Sequence, residues 1–154
     1  MKLKKYLENL FEIRNPKQPT NVRSGYSRNT GVSVIFEVQN NIIEFRAEPL
    51  KDEEGEIGWE FWFKGNNSFK PLKLNNLEIS GEILDNVSWL VRGVLHKYKP
   101  GIFYFMALYD EQIKLYNSTR FKREIEKHNP YIFVEDRPAK LGVRLHAWLY
   151  KRIR

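Results

Sequence analysis

Residues 102–108 read Ile-Phe-Tyr-Phe-Met-Ala-Leu, seven positions without a charge. A strand with one face in water alternates apolar and polar residues, because successive side chains point to opposite sides. An unbroken apolar run bounded by Pro100-Gly101 before it and Asp110 after it predicts a strand covered on both faces. Such a strand needs a paired neighbour on each edge and packed layers above and below. The chain is therefore committed to a sheet with helices against it.

The neighbours are found in runs that alternate. VSVIFEV (32–38) and IIEFRAE (42–48) are separated by Gln39, Asn40 and Asn41, a polar hairpin connection. WEFWFK (59–64) places Trp59, Phe61 and Phe63 on one face and Glu60, Trp62 and Lys64 on the other, after an acidic turn at 51–58. Lys70 to Ile79 adds an irregular edge segment. Ser80 is the expected N-cap of a helix over 82–98, with Ile83, Leu84, Val87, Leu90, Val91, Val94, Leu95 and Tyr98 as its buried stripe. Asp110 caps a second helix over 111–128, which Asn129-Pro130 ends. YIFV (131–134), the turn EDRPAK and a last strand within 141–154 complete the order.

At the N-terminus, Leu3, Tyr6, Leu7, Leu10 and Phe11 fall at helical spacing, predicting a short amphipathic helix over 2–13. Pro16 and Pro19 stop it, and residues 14–31 read as a basic loop. The expected fold is α+β: one mixed, mainly antiparallel sheet with two main packed helices and a short N-terminal helix. A single domain spans 1–154, with 1–31 as helix plus basic loop and 32–154 as core.

Several chemistries are excluded. There is no cysteine, so no disulfide, thiol nucleophile or cysteine–metal site is available. His96, His128 and His146 lie on different elements without ligand spacing, and the run Asp52, Glu53, Glu54, Glu56 lacks the order of a calcium loop. No metal or cofactor is expected. No nucleophile elbow or phosphate-cradling glycine loop occurs. No apolar run reaches the roughly 18 residues of a membrane span, and the N-terminus does not read as a secretory signal. A cytoplasmic location is expected.

Charge is distributed unevenly. Residues 1–31 hold seven Lys/Arg against two Asp/Glu, residues 32–111 eight against thirteen, and residues 112–154 eleven against four. Two basic ends around an acidic middle make a polarised field if the ends meet in space. Within LGVRLHAWLYKRIR (141–154), Leu141, Val143, Leu145, Ala147 and Leu149 share one face. Arg144, His146, Trp148, Tyr150 and Arg152 share the other. That second face is most simply a second packing surface, with its cations at the rim. Left open, it is a binding surface of Arg23, Arg28, Arg120, Arg123, Arg144, Trp148 and Arg152, whose cations suit phosphates or carboxylates and whose indole suits a base. The expected partner is nucleic acid or an acidic protein surface, and not a membrane.

From about residue 32 onward the order of elements resembles the GNAT superfamily of N-acyltransferases, in which a three-stranded meander precedes a helix, a central strand, another helix and a strand pair. ALYDEQIKLYNSTRF resembles that family's region after the central strand, where a tyrosine often serves as general acid; Tyr116 holds the matching position. The resemblance implies acyl-CoA as cosubstrate. Yet LNNLEISGEILDN carries one glycine, Gly81, and the acids Glu78, Glu82 and Asp85 where the family's pyrophosphate loop belongs. MKLKKYL, NVSWLVRGVLHKYKPGIFYFMALYD and IKLYNSTRFKREIEKH are also similar to small proteins of tailed bacteriophages. That likeness implies a non-catalytic accessory protein in a host cytoplasm, binding or inhibiting a host or viral macromolecule. The alternatives are a divergent acyltransferase using Tyr116 and a virion structural or assembly subunit.

Overall fold

The computed structural model describes residues 16–28, 31–51, 57–65, 77–107, 110–137 and 146–153. The expected helix over 2–13, residues 52–56 of the acidic turn, residues 70–76 of the edge segment and residues 138–145 lie outside them. Seven strands are present: β1 (Val22–Arg28), β2 (Gly31–Val38), β3 (Asn41–Lys51), β4 (Ile57–Gly65), β5 (Ile102–Ala107), β6 (Tyr131–Arg137) and β7 (His146–Arg152). Among the described residues three helices accompany them: α1 (Leu77–Tyr98), α2 (Asp110–Asn117) and α3 (Thr119–His128). One mixed sheet runs β1-β2-β3-β4-β5-β7-β6. Every neighbouring pair is antiparallel except β4–β5, which is parallel and joined through α1. The fold is α+β.

The apolar run takes an interior position in the sheet, but the described helices cover only one of its faces, and Tyr104 on the other is partly exposed. β5 lies between β4 and β7, and Phe103, Phe105 and Ala107 are fully buried or nearly so. Cross-strand partners share a face, so the register puts Phe61, Phe103, Phe105, Trp148 and Tyr150 on one side of the sheet. Their rings form a continuous seam: Phe103 and Tyr150 stack at 4.9 Å and 1°, and Phe105 meets both edge-on. All three helices cover this face. Leu84, Val87 and Val91 of α1 and Phe121 and Ile125 of α3 converge on Phe63 and Phe105, and Tyr116 of α2 stacks on Phe105 at 5.3 Å. The opposite face carries Glu44, Arg46, Glu60, Trp62, Lys64 and Tyr104, with Arg46 bridging to Glu44 at 3.0 Å and lying over the Trp62 ring.

Several boundaries differ from expectation; β6, for one, runs on through Glu135–Arg137, read from the sequence as part of a turn. Residues 22–28 of the supposed loop form β1, whose described side chains are all exposed. An edge strand held by backbone bonds to β2 needs no apolar face, so period-two patterning does not reveal it. The meander therefore has four strands. α1 begins at Leu77, placing Ser80 inside the helix and not at its N-cap. Gly81 costs about 1 kcal/mol in a helix, less than the burial of a stripe running from Ile83 to Leu95 returns. The helix expected over 111–128 breaks at Ser118, whose extended backbone and side chain cap α3 by accepting from the Phe121 N–H at 3.3 Å. The last strand starts at His146; the apolar residues Leu141, Val143 and Leu145 lie outside the described residues. The hairpin at Gln39 and Asn40 is as expected, with φ of 45° and 68° matching a tight two-residue turn.

The final strand is covered on both faces. Trp148 and Tyr150 are fully buried on the helix side, and Ala147 and Leu149 are buried on the other. The Tyr150 hydroxyl has no hydrogen-bond partner among the described residues, and burial pushes its phenol far above the ordinary 10.0, with Glu126 adding to the shift. Burial also raises Tyr131. A raised folded-state value means these phenols favour the folded form fully below pH 10 and less as the pH climbs past it. Unfolding should therefore set in above about pH 10, together with tyrosinate absorbance. Tyr150→Phe should leave stability at pH 7 within about 1 kcal/mol of the parent and reduce the alkaline loss, as read by circular dichroism across a pH series.

Candidate binding surface

The structure separates the residues singled out in the sequence. Trp148 is fully buried, and its indole N–H donates to Asn117 Oδ1 at 2.9 Å. It belongs to the core and offers nothing to a partner. Tyr116 is fully buried too, packed against Phe105, Phe121 and Trp148. Arg23 is exposed on the edge strand β1, with its guanidinium 2.8 Å from Glu37. Arg28 ends β1 opposite Gly31, though its side chain lies outside the described residues, as do Arg14 and all of Arg144. Arg120 and Arg123 are exposed on α3; Arg152, half-buried at the end of β7, donates to the Lys99 carbonyl at 3.4 Å.

Two groups result. Arg120 and Arg123 sit on the helix beside β6 and Arg152 ends its neighbour β7, while Arg23 stands on β1 at the other end of the strand order. Six strand spacings of about 4.8 Å separate those edges by roughly 29 Å. Although Lys97 reaches β1 at Ser27, Arg23 does not join the others: its partner Glu37 alternates with the buried Phe36 and Val38 and so faces away from the helical layer.

What unites the remaining cations is the outward side of the helical layer. At 100° per residue, Arg120, Arg123 and Lys127 fall within about 60° of one another on α3, opposite the buried Phe121 and Ile125. The acids of the same helix have other neighbours. Glu124 lies 3.4 Å from His128, without a hydrogen bond between them, a neighbour that the sequence reading did not assign to this histidine, and Glu126 accepts the N–H of Phe133 at 2.8 Å. Capping that N–H also blunts the open edge of β6.

On α1, the positions opposite the buried stripe are Trp89, Arg92, Gly93, His96 and Lys97, all exposed. No Asp or Glu occurs from Asn86 through Tyr109. In the last turn, Lys97 Nζ approaches Ser27 Oγ at 3.0 Å, and the same hydroxyl meets the Tyr98 hydroxyl at 3.1 Å. The Ser27 hydrogen bond is the main cause holding the Tyr98 phenol below 10.0; burial opposes it and Lys97 adds to it. Cations here also suit the negative end of the helix dipole.

Leu84, Val87, Ser88 and Val91 of α1 and Phe121 and Ile125 of α3 line one apolar void of about 10 Å³, with Phe63 and Phe105 of the sheet beneath. A void of that size and lining stays dry and holds no ligand. Among the described residues, no cluster of His, Asp and Glu could hold a metal ion, and no helix is long and apolar enough to cross a membrane.

Sequence reading missed the outward face of α1. Its signal was a tryptophan placed off the apolar stripe, with arginine, glycine and histidine three to seven positions on. No protein-family model matches this chain, and no curated protein matches it either.

Core membership of Trp148 has a measurable consequence. Trp148→Ala should cost about 3–5 kcal/mol in denaturant unfolding, whereas a surface tryptophan would change stability by no more than about 0.5 kcal/mol. Gly93 is the converse case. A Cβ built there meets nothing within 4 Å, so Gly93→Ala should raise stability by roughly 0.5–1 kcal/mol and lift the Tm.

Proposed function

We propose that this protein is a non-catalytic binding protein that engages an anionic macromolecule through the outward faces of α1 and α3. One observation carries the reading: two helices that line one void on the same side of the sheet leave Arg92, Lys97, Arg120, Arg123 and Lys127 exposed, and α1 carries no acid beyond Asp85 to offset its share. Like charges gathered on one face focus a positive potential, which raises the encounter rate with polyanions and weakens with added salt. The likeness to small tailed-bacteriophage proteins gives the reading a setting. The partner would then be a host or viral macromolecule, and occupying it would inhibit a host factor.

The acyltransferase alternative draws support from the element order and from the single parallel pair between β4 and β5. Two observations weigh against its chemistry. A general acid must reach the leaving group, yet the Tyr116 ring is enclosed by Phe105, Phe121 and Trp148. A pyrophosphate needs free donors at a helix N-terminus, yet Glu78, Glu82 and the buried Asp85 lie in the first turns of α1, and Lys17 crosses there to bond the Asp85 carbonyl at 3.0 Å. A GNAT-like scaffold without the transfer chemistry fits these facts.

The test is a salt series with fluorescently labelled polyanions. Arg120→Glu/Arg123→Glu should weaken binding at least tenfold at low ionic strength, and Arg23→Glu, on the far edge, should leave it unchanged. Binding that ignores both salt and the α3 reversals would refute the reading. Saturable acyl-CoA binding, lost on loading the surface with neither salt nor polyanion, would favour the alternative.

A further inference from the structure

We infer that the outward face of α1 binds single-stranded nucleic acid, with a base stacked on Trp89 beside Gly93 and the flanking phosphates held by Arg92, Lys97, Arg120, Arg123 and Lys127. This rests on the basic-surface reading above and names its partner.

Three observations converge on α1. Trp89 is 37% exposed, and it is the one large hydrophobic residue of the described helices to be so exposed. One turn further along the same face lies Gly93, where a built Cβ meets open space. Glycine weakens a helix interior, and among the described residues nothing approaches closely enough to require it. An aromatic ring followed one turn later by a residue without a side chain leaves a flat shelf on which a planar group can lie against the helix. Cations border the shelf on both flanks. Arg92 stands on the side facing α3, because Ser88, one turn before it, faces Phe121 and Ile125. Lys97 stands on the side facing β1, where it meets Ser27.

The chemistry of this face selects among anions. Protein interfaces place an apolar core inside a polar rim, and the exposed aliphatic residues Val22, Ile132, Val134 and Ile153 lie on or beside the edge strands rather than on the helical layer. A lone aromatic among cations is what a strand of stacked bases and phosphates requires. Duplex DNA hides its base faces, so the stacking position has a use only for a single strand. With its cations, Arg92 included, engaged on phosphates, the face reads bases by stacking alone, so binding should tolerate any sequence.

The experiment measures anisotropy of a labelled 20-nucleotide oligo-dT, its duplex with oligo-dA, and a labelled 20-residue poly-glutamate, with the full chain and four variants. Oligo-dT should bind more tightly than the duplex or poly-glutamate. With five phosphate contacts its affinity should fall about 100-fold between 50 and 200 mM salt. Trp89→Ala and Gly93→Leu should each weaken it about tenfold or more, and Gly93→Leu should do so with an unchanged or higher Tm, which separates a blocked shelf from a damaged fold. Arg120→Glu/Arg123→Glu should weaken it, and Arg23→Glu should not. If oligo-dT binding survives Trp89→Ala and Gly93→Leu but fails with the α3 reversals, the stacking inference falls and the basic-surface reading stands. Preference for poly-glutamate overturns the inference in favour of an acidic protein. Failure of all three probes to bind overturns both.

Discussion

The seam of rings along β4, β5 and β7 is the interaction on which the rest of the molecule depends. Phe61, Phe103, Phe105, Trp148 and Tyr150 point to one side because their strands pair in register. Their mutual stacking and edge contacts make that side the only place where three amphipathic helices can bury their stripes together. A one-residue slip of β7 would turn Trp148 and Tyr150 to the far face. It would also leave α2 without the Trp148 ring against which Tyr116 packs. Sheet register and helix docking are thus one constraint.

That constraint also accounts for where function can reside. With the three described helices on one face, their polar sides all point away from the sheet. α3 holds Arg120, Lys122, Arg123 and Lys127 against Glu124 and Glu126, so the layer is left cationic. The residues that look most chemical in the sequence, Tyr116 and Trp148, are consumed by the seam. Surface chemistry falls instead to residues the core has no use for.

Gly93 illustrates the logic. Native sequences keep a locally unfavourable residue where something outside the local fold gains by it, and a helix-interior glycine with empty space around it is such a place. Trp89, one turn away, is the complementary irregularity, since a large aromatic half in water forgoes burial that the core next to it could have supplied.

Much of the architecture was legible in the chain alone. The apolar run at 102–108, the alternation of WEFWFK and the stripe of α1 each repeat at the period of their element, and period is a local property. The edge strand β1 and the break at Ser118 were not legible. The first is held by backbone bonds to β2, which any polar residue can make, and the second by one hydroxyl that caps only once the chain has turned. For the surface, the sequence by itself determined the excess of cations near the C-terminal end and the absence of acids from Asn86 through Tyr109. Only the tertiary structure decided that Trp148 is core, that Arg23 stands apart from Arg120 and Arg123, and that α1 and α3 present their cations together. Composition sets how much charge a chain carries, but strand order and helix docking set which charges share a face.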